Sequence, residues 1–202
     1  MSERRRFCRF SRSPETAAFG FPEVPEGGFC LSAFVLLTSR EKPHRVLMGR
    51  LNPAADWERL GALDASRVEA HRHGWMLPSS HLLFGESPQE AAARIVREQL
   101  ERPPQRLDGP LVVSEVYTPK RFPDRPRHWD LEFLFRGSLP ERERPRPAAW
   151  IDLAFVDPRE VSRRAIARSH EDVLASAGLF DSGESADGRS GPDARGRRPA
   201  RA

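Results

Sequence analysis

Cysteine is scarce in this chain. Cys8 and Cys30 are the only two, and they form no C-x-x-C spacing. Two isolated thiols argue against a disulfide framework and against a cysteine-based zinc site, and they fit a reducing cytosol. Long hydrophobic runs are lacking too. The longest largely apolar stretch, Phe29 to Leu37, spans nine residues, far short of a membrane span. The N-terminus starts charged but lacks the apolar stretch a signal peptide needs, so a cytoplasmic location without membrane contact is expected. No P-loop, no G-x-G-x-x-G and no Ser-His-Asp order is present, and Gly27-Gly28 is too little to cradle a phosphate. Lysine is limited to Lys42 and Lys120, and asparagine to Asn52. Such a bias toward arginine reads as a GC-rich genome rather than as a binding function.

Charge and proline are abundant by comparison. The formal net charge is +4. Arg4, Arg5, Arg6, Arg9 and Arg12 against Glu3 account for all of it, so the body is neutral. A basic arm can touch nucleic acid or an anionic surface. A solvated terminus is the plainer reading, and nucleic acid is not an expected partner. Residues 1–28 carry arginines and turn signals and read as an extended arm. Residues 29–180 read as one domain. From Asp181 onward the chain has almost nothing to bury, and a disordered tail is expected.

Between these ends the pattern alternates strands and helices. Phe29 to Thr38 and Arg45 to Leu51 read as a strand hairpin across a polar turn. Asp64 is an N-cap for one or two helical turns, and Asp56 to Leu60 is a short turn or strand near a site. Leu111–Tyr117, His128–Arg136 and Ala149–Val156 are three more strands. Asp157-Pro158 opens a helix to about Ala177. Such an order implies an α/β layered fold.

One stretch carries the chemistry. Gly85-Glu86-Ser87-Pro88 is a tight loop that feeds a helix to about Glu101. Ser87 is its N-cap, Pro88 its first residue, and Glu90 completes a capping box. Ala91, Ala92, Ile95, Val96, Gln99 and Leu100 form an inner side. Glu90, Arg94, Arg97, Glu98 and Glu101 form the other. The spacing Glu90–Arg94–Glu98 also suits an exposed ion-pair ladder, which has no catalytic meaning.

LPSSHLLFGESPQEAAARIVREQLER resembles the Nudix box, G-x5-E-x7-R-E-U-x-E-E-x-G-U with U a bulky aliphatic residue, of the Nudix hydrolases. Glu86 matches the first glutamate, Arg94 the arginine, Val96 the aliphatic position and Glu98 the next glutamate. The box glycine is Ser80, with Ser79 beside it. The glutamate after the arginine is Ile95, the second of the later pair is Gln99, and the closing glycine and aliphatic are Glu101 and Arg102. The resemblance implies an α/β/α sandwich with a mixed sheet, and hydrolysis of a nucleoside diphosphate linked to another group, with Mg²⁺ or Mn²⁺. It implies Glu98 and Glu86 as metal ligands and, with Arg94, as catalytic residues, Arg94 orienting the glutamates. The box is degenerate, because Ile95 offers no oxygen and Gln99 only a neutral one, whereas hard cations want anionic oxygens. A domain that binds a nucleotide-like pyrophosphate ligand, with hydrolysis weak or absent, is the first reading. An active pyrophosphohydrolase using Glu90 or Glu101, and a non-catalytic interaction module, are the alternatives. The family's frequent dimers leave a homodimer open.

Further candidates surround this stretch. Trp57, Trp75, Phe122, His128 and Trp129 are candidates to stack on a base, with Trp57 the substrate-binding choice. Trp75 and Trp129 read as core instead. Arg121 and Arg127, in the basic loop Thr118 to Arg127, are candidate phosphate-binding residues. His71, His73 and His81 match no zinc spacing. Glu141 and Glu143 lie in a loop where some Nudix enzymes keep an extra glutamate.

Overall fold

In the computed structural model the described residues are 28–103, 106–117, 128–162 and 165–179. The expected arm and tail lie outside them, as do Arg121 and Arg127. Six strands form one mixed sheet: β1 (Phe29–Ser39), β2 (Val46–Leu51), β3 (Ser79–His81), β4 (Asp108–Tyr117), β5 (His128–Leu139) and β6 (Trp150–Val156). The order is β4-β5-β1-β2-β6, with β3 paired to β1 off this path. β1 runs parallel to β5 and antiparallel to β2 and β3.

Residues of β1 alternate between two cores, because successive side chains of a strand point to opposite faces. Ala33, Val35 and Leu37 enter one core, with Trp57, Leu60, Val68, Ala91, Ala92, Ile95 and Val96. Those partners come from α1 (Trp57–Gly61), α2 (Ala65–His71) and α3 (Pro88–Gln99). Phe34 and Leu36 enter the other core, with Val173 and Leu174 of α4 (His170–Ser176). Helices therefore cover both faces, and the architecture is an α/β/α sandwich. Among the described residues no helix is long and apolar enough to cross a membrane.

The helix starts follow their caps. Asp64 accepts from Arg67 N, and Ser87 and Glu90 form the reciprocal capping box that opens α3. The single helix expected from Asp157 to Ala177 does not form. Asp157 caps only a 3-10 turn, Pro158–Glu160. Trp75 N–H then donates to Ala165 O, and Ala167 N–H to Trp75 O. Arg168 and Ser169 take left-handed backbone, at φ 60° and 58°, just before α4. Docking on Trp75 outweighs continued helix here, so only two turns survive at the C-terminal end. Trp75 and Trp129 are half-buried rather than core residues. Arg50 lies over the Trp75 ring, 4.5 Å from its centre, and Trp129 stacks on Phe29.

Candidate functional site

The loop before α3 is held by one arginine. Arg94 Nε and Nη2 donate to the two oxygens of Glu86, at 2.7 and 2.8 Å. Its Nη2 also reaches His81 O at 3.0 Å, and Nη1 reaches Ser80 Oγ at 3.3 Å. Glu86 Oε2 accepts the Leu83 N–H at 2.9 Å. A planar guanidinium suits this fork, since two parallel bonds fix both position and orientation. Both side chains are nearly buried, at 5% and 11% exposure. Arg94 thus clamps the loop to β3 and consumes both oxygens of Glu86. Gly85, at φ +80°, supplies the turn between them.

Glu98 projects from the same helix but meets other partners. Arg59 Nη1 of α1 lies 3.2 Å from its Oε2, and Arg97 Nη2 lies 3.7 Å from its Oε1. The structure therefore gives Glu98 and Glu86 separate arginines. Among the described residues, the one group of three metal-ligating side chains within 4.8 Å of one another contains neither of them.

The other carboxylates near the helix are engaged as well. Glu90 accepts from Ser87 N and Oγ, both at 2.8 Å, and these bonds lower its pKa. Glu101 accepts from Ala148 N at 3.2 Å. Glu143 accepts from Arg102 through its backbone and side chain, and Glu141 lies 3.9 Å from Arg45.

Gln99 and Ile95 point inward. Gln99 is fully buried, and its carboxamide behaves like one more peptide unit against β3. It accepts from Ser79 N at 3.2 Å and donates to Ser79 O at 2.7 Å and Leu60 O at 2.9 Å. A carboxylate would bring no donor to those two carbonyls. Ile95 is also fully buried and belongs to the core on this face. Glu101 takes left-handed backbone, at φ 50°, a conformation that favours glycine.

Trp57 is not a base-stacking residue. It is 1% exposed, packs edge-on against Trp150 at 4.9 Å and donates its Nε1–H to Asn52 O at 3.0 Å. Its position after the N-cap Asp56 turns the ring into the core beneath α1. His71 and His81 are buried, and His73 is exposed. His170, which sequence reasoning passed over, is buried and accepts the Leu77 N–H on Nδ1 at 2.9 Å. Burial, then the charges of Arg168 and His71, push its pKa well below the usual 6.5.

No family model and no curated protein matches the sequence. Solved structures do match the fold. The Nudix domain of Shewanella oneidensis NrtR, solved with ADP-ribose, aligns over 83% of this chain and 92% of its own, at TM-score 0.50 and 13% identity. The fold is that of the Nudix hydrolases. The E. coli ORF135 protein aligns over 79% of this chain and 96% of its own, at TM-score 0.50 and 11% identity. A MutT Nudix hydrolase from Burkholderia pseudomallei aligns over 68% and 92%, at TM-score 0.44 and 13% identity. In Nudix terms, the loop-helix with Glu86, Arg94 and Glu98 is the candidate site.

The Mg²⁺ or Mn²⁺ that the resemblance implies does not fit the side chains present there. Octahedral sites need several oxygens free to turn toward one point. Glu86 is spent on Arg94 and Leu83, Glu98 is paired with arginine, Gln99 faces β3 and Ile95 faces the core.

Proposed function

We propose that this Nudix-fold domain binds a nucleoside-diphosphate-linked or related pyrophosphate ligand, and that metal-dependent hydrolysis is weak or absent. The degenerate box, with Ile95 and Gln99 in place of glutamates, is part of this reading. The observation that carries it is Gln99. At the position where the box would have an anionic ligand, a neutral amide is buried and donates to two backbone carbonyls. Binding itself is supported by the fold and by the ligand of the Shewanella domain, ADP-ribose. Arg59 and Arg97, beside Glu98, are cations that a phosphate could recruit. Arg121 and Arg127 remain candidates for the same task, and for hydrolysis to exist Glu98 and Glu86, the candidate metal ligands, would have to leave their arginines. The alternative with Glu90 and Glu101 as substitute ligands is disfavoured, because one is a cap and the other holds Ala148.

Isothermal titration of the full chain with ADP-ribose, with and without Mg²⁺, tests the binding. Chromatography of the nucleotide after long incubation tests the chemistry. Binding that needs no Mg²⁺, without product, is the expected result. Turnover that Glu98→Gln abolishes would overturn the hydrolytic half of the proposal, and no heat with any pyrophosphate ligand would overturn the binding half.

A further inference from the structure

On the α4 side of the sheet, Cys30 of β1 sits directly opposite Asp130 of β5 in the parallel register. His128 lies two residues before Asp130 on β5, so both side chains project to the same face. Ligand atoms of Cys30, His128 and Asp130 all fall within 4.8 Å of one another. His128 Nε2 and Asp130 Oδ1 are 3.3 Å apart. Metal–ligand bonds of 2.0 to 2.3 Å in a tetrahedron put neighbouring ligand atoms roughly 3.3 to 3.8 Å apart. The nitrogen–oxygen pair already has that separation, and the sulfur needs a side-chain adjustment of at most about 1.3 Å.

We propose that Cys30 Sγ, His128 Nε2 and an Asp130 carboxylate oxygen form a zinc site, with the fourth position open. Sulfur, imidazole and carboxylate together are the donors of a borderline-soft ion, not of Mg²⁺ or Ca²⁺. The surroundings suit a divalent charge. Glu132 follows Asp130 on the same face, and Arg168 is close enough to feel Cys30, Asp130 and Glu132. A thiolate and two carboxylates offset one divalent ion and the Arg168 guanidinium, with the Arg67 guanidinium also acting on Arg168. Ser32 Oγ, 3.7 Å from Cys30 Sγ, is placed to donate to the bound sulfur. The ligands are neither sealed nor fully wet, at 8% for Cys30 and 23% and 13% for the side chains of His128 and Asp130, so an ion has a way in. The site faces away from α3, and it stands whether or not the chain binds a pyrophosphate.

Co²⁺ titrated into the reduced full-length chain tests the proposal, since cobalt reports a thiolate ligand through an intense near-ultraviolet charge-transfer band. One equivalent should give that band, Zn²⁺ should abolish it, and excess Mg²⁺ should not. Cys8→Ser should keep the band and Cys30→Ser should lose it. His128→Gln should weaken cobalt binding by more than about 100-fold, beyond the roughly 10- to 100-fold that loss of an outer partner costs. If Cys30→Ser does not fold, His128→Gln carries the test, because that side chain is the most exposed of the three. Cobalt bound without a thiolate band, a band that follows Cys8, or affinity unchanged in His128→Gln would each overturn the site.

Discussion

The two faces of the sheet give their carboxylates different neighbours. On the α3 face the acidic side chains of the loop-helix are committed: Glu86 to Arg94, Glu98 to Arg59, Glu90 to the helix cap. On the α4 face Asp130 and Glu132 gather beside Cys30, His128 and Arg168. The thiol there is held protonated, since burial and then Asp130 push its pKa up to about 12. Such a thiol is no nucleophile at neutral pH, but a metal can displace its proton. The carboxylates of the familiar loop-helix are thus tied to arginines and backbone donors, whereas Asp130 lies beside an imidazole and a thiol.

Breaking the Glu86–Arg94 clamp tests the first half of that contrast most severely. Arg94→Ala leaves a nearly buried carboxylate without its cation and should cost about 3–5 kcal/mol in denaturant unfolding. A loss below about 1 kcal/mol would mean the pair behaves as a surface contact. Gln99→Glu comes next. It replaces two donated bonds with a charge facing Ser79 O and Leu60 O, and should destabilise by about 2–4 kcal/mol without raising hydrolysis. A stable variant with new Mg²⁺-dependent turnover would show that the carboxylate swings outward and that the helix is only one mutation from activity.

The α4 face should respond to acid instead. His170 is neutral in the folded protein, with Arg168 and His71 facing it, and its pKa is depressed by burial. The unfolded chain therefore binds a proton first as pH falls below about 6.5, and folded stability drops by up to about 1.4 kcal/mol per pH unit until the folded pKa is reached. Above pH 6.5 this contribution is fully present. Unfolding midpoints from pH 7 to 5 check it, with His170→Gln flattening the slope. The smallest effect concerns Glu101. Its left-handed backbone favours glycine, and Glu101→Gly should stabilise by about 0.5–1 kcal/mol, less whatever the bond to Ala148 N contributes. A thermal melt reads this as a modest upward shift.

Local chemistry was legible in the sequence. Ser87-Pro88-Glu90 announced a capped helix and Asp64 a second one, because a cap needs only residues three apart. The spacing of Glu90, Arg94 and Glu98 suggested an exposed ladder instead, whereas Arg94 is buried on Glu86, Glu90 stays on the cap and Glu98 meets Arg59. The α/β layering followed from the alternation of strand and helix patterns. Trp57 misled, because an aromatic residue beside a polar turn looks alike whether it faces a ligand or a core. The long C-terminal helix misled as well, since its cap residues Asp157 and Pro158 serve a shorter turn equally well.

Two things were decided only by the tertiary structure. Gln99 became a buried peptide mimic because β3 leaves Ser79 without a partner strand on that side, and nothing near Gln99 in the chain signals this. Cys30 and Asp130 became neighbours because β1 and β5 pair in parallel, and the register alone sets them opposite each other. Caps, turns and the loop-helix arise from interactions over a few residues, which the sequence states directly. Donor sets and ligand clusters arise from which strand lies beside which, and that depends on packing the two cores of the sandwich.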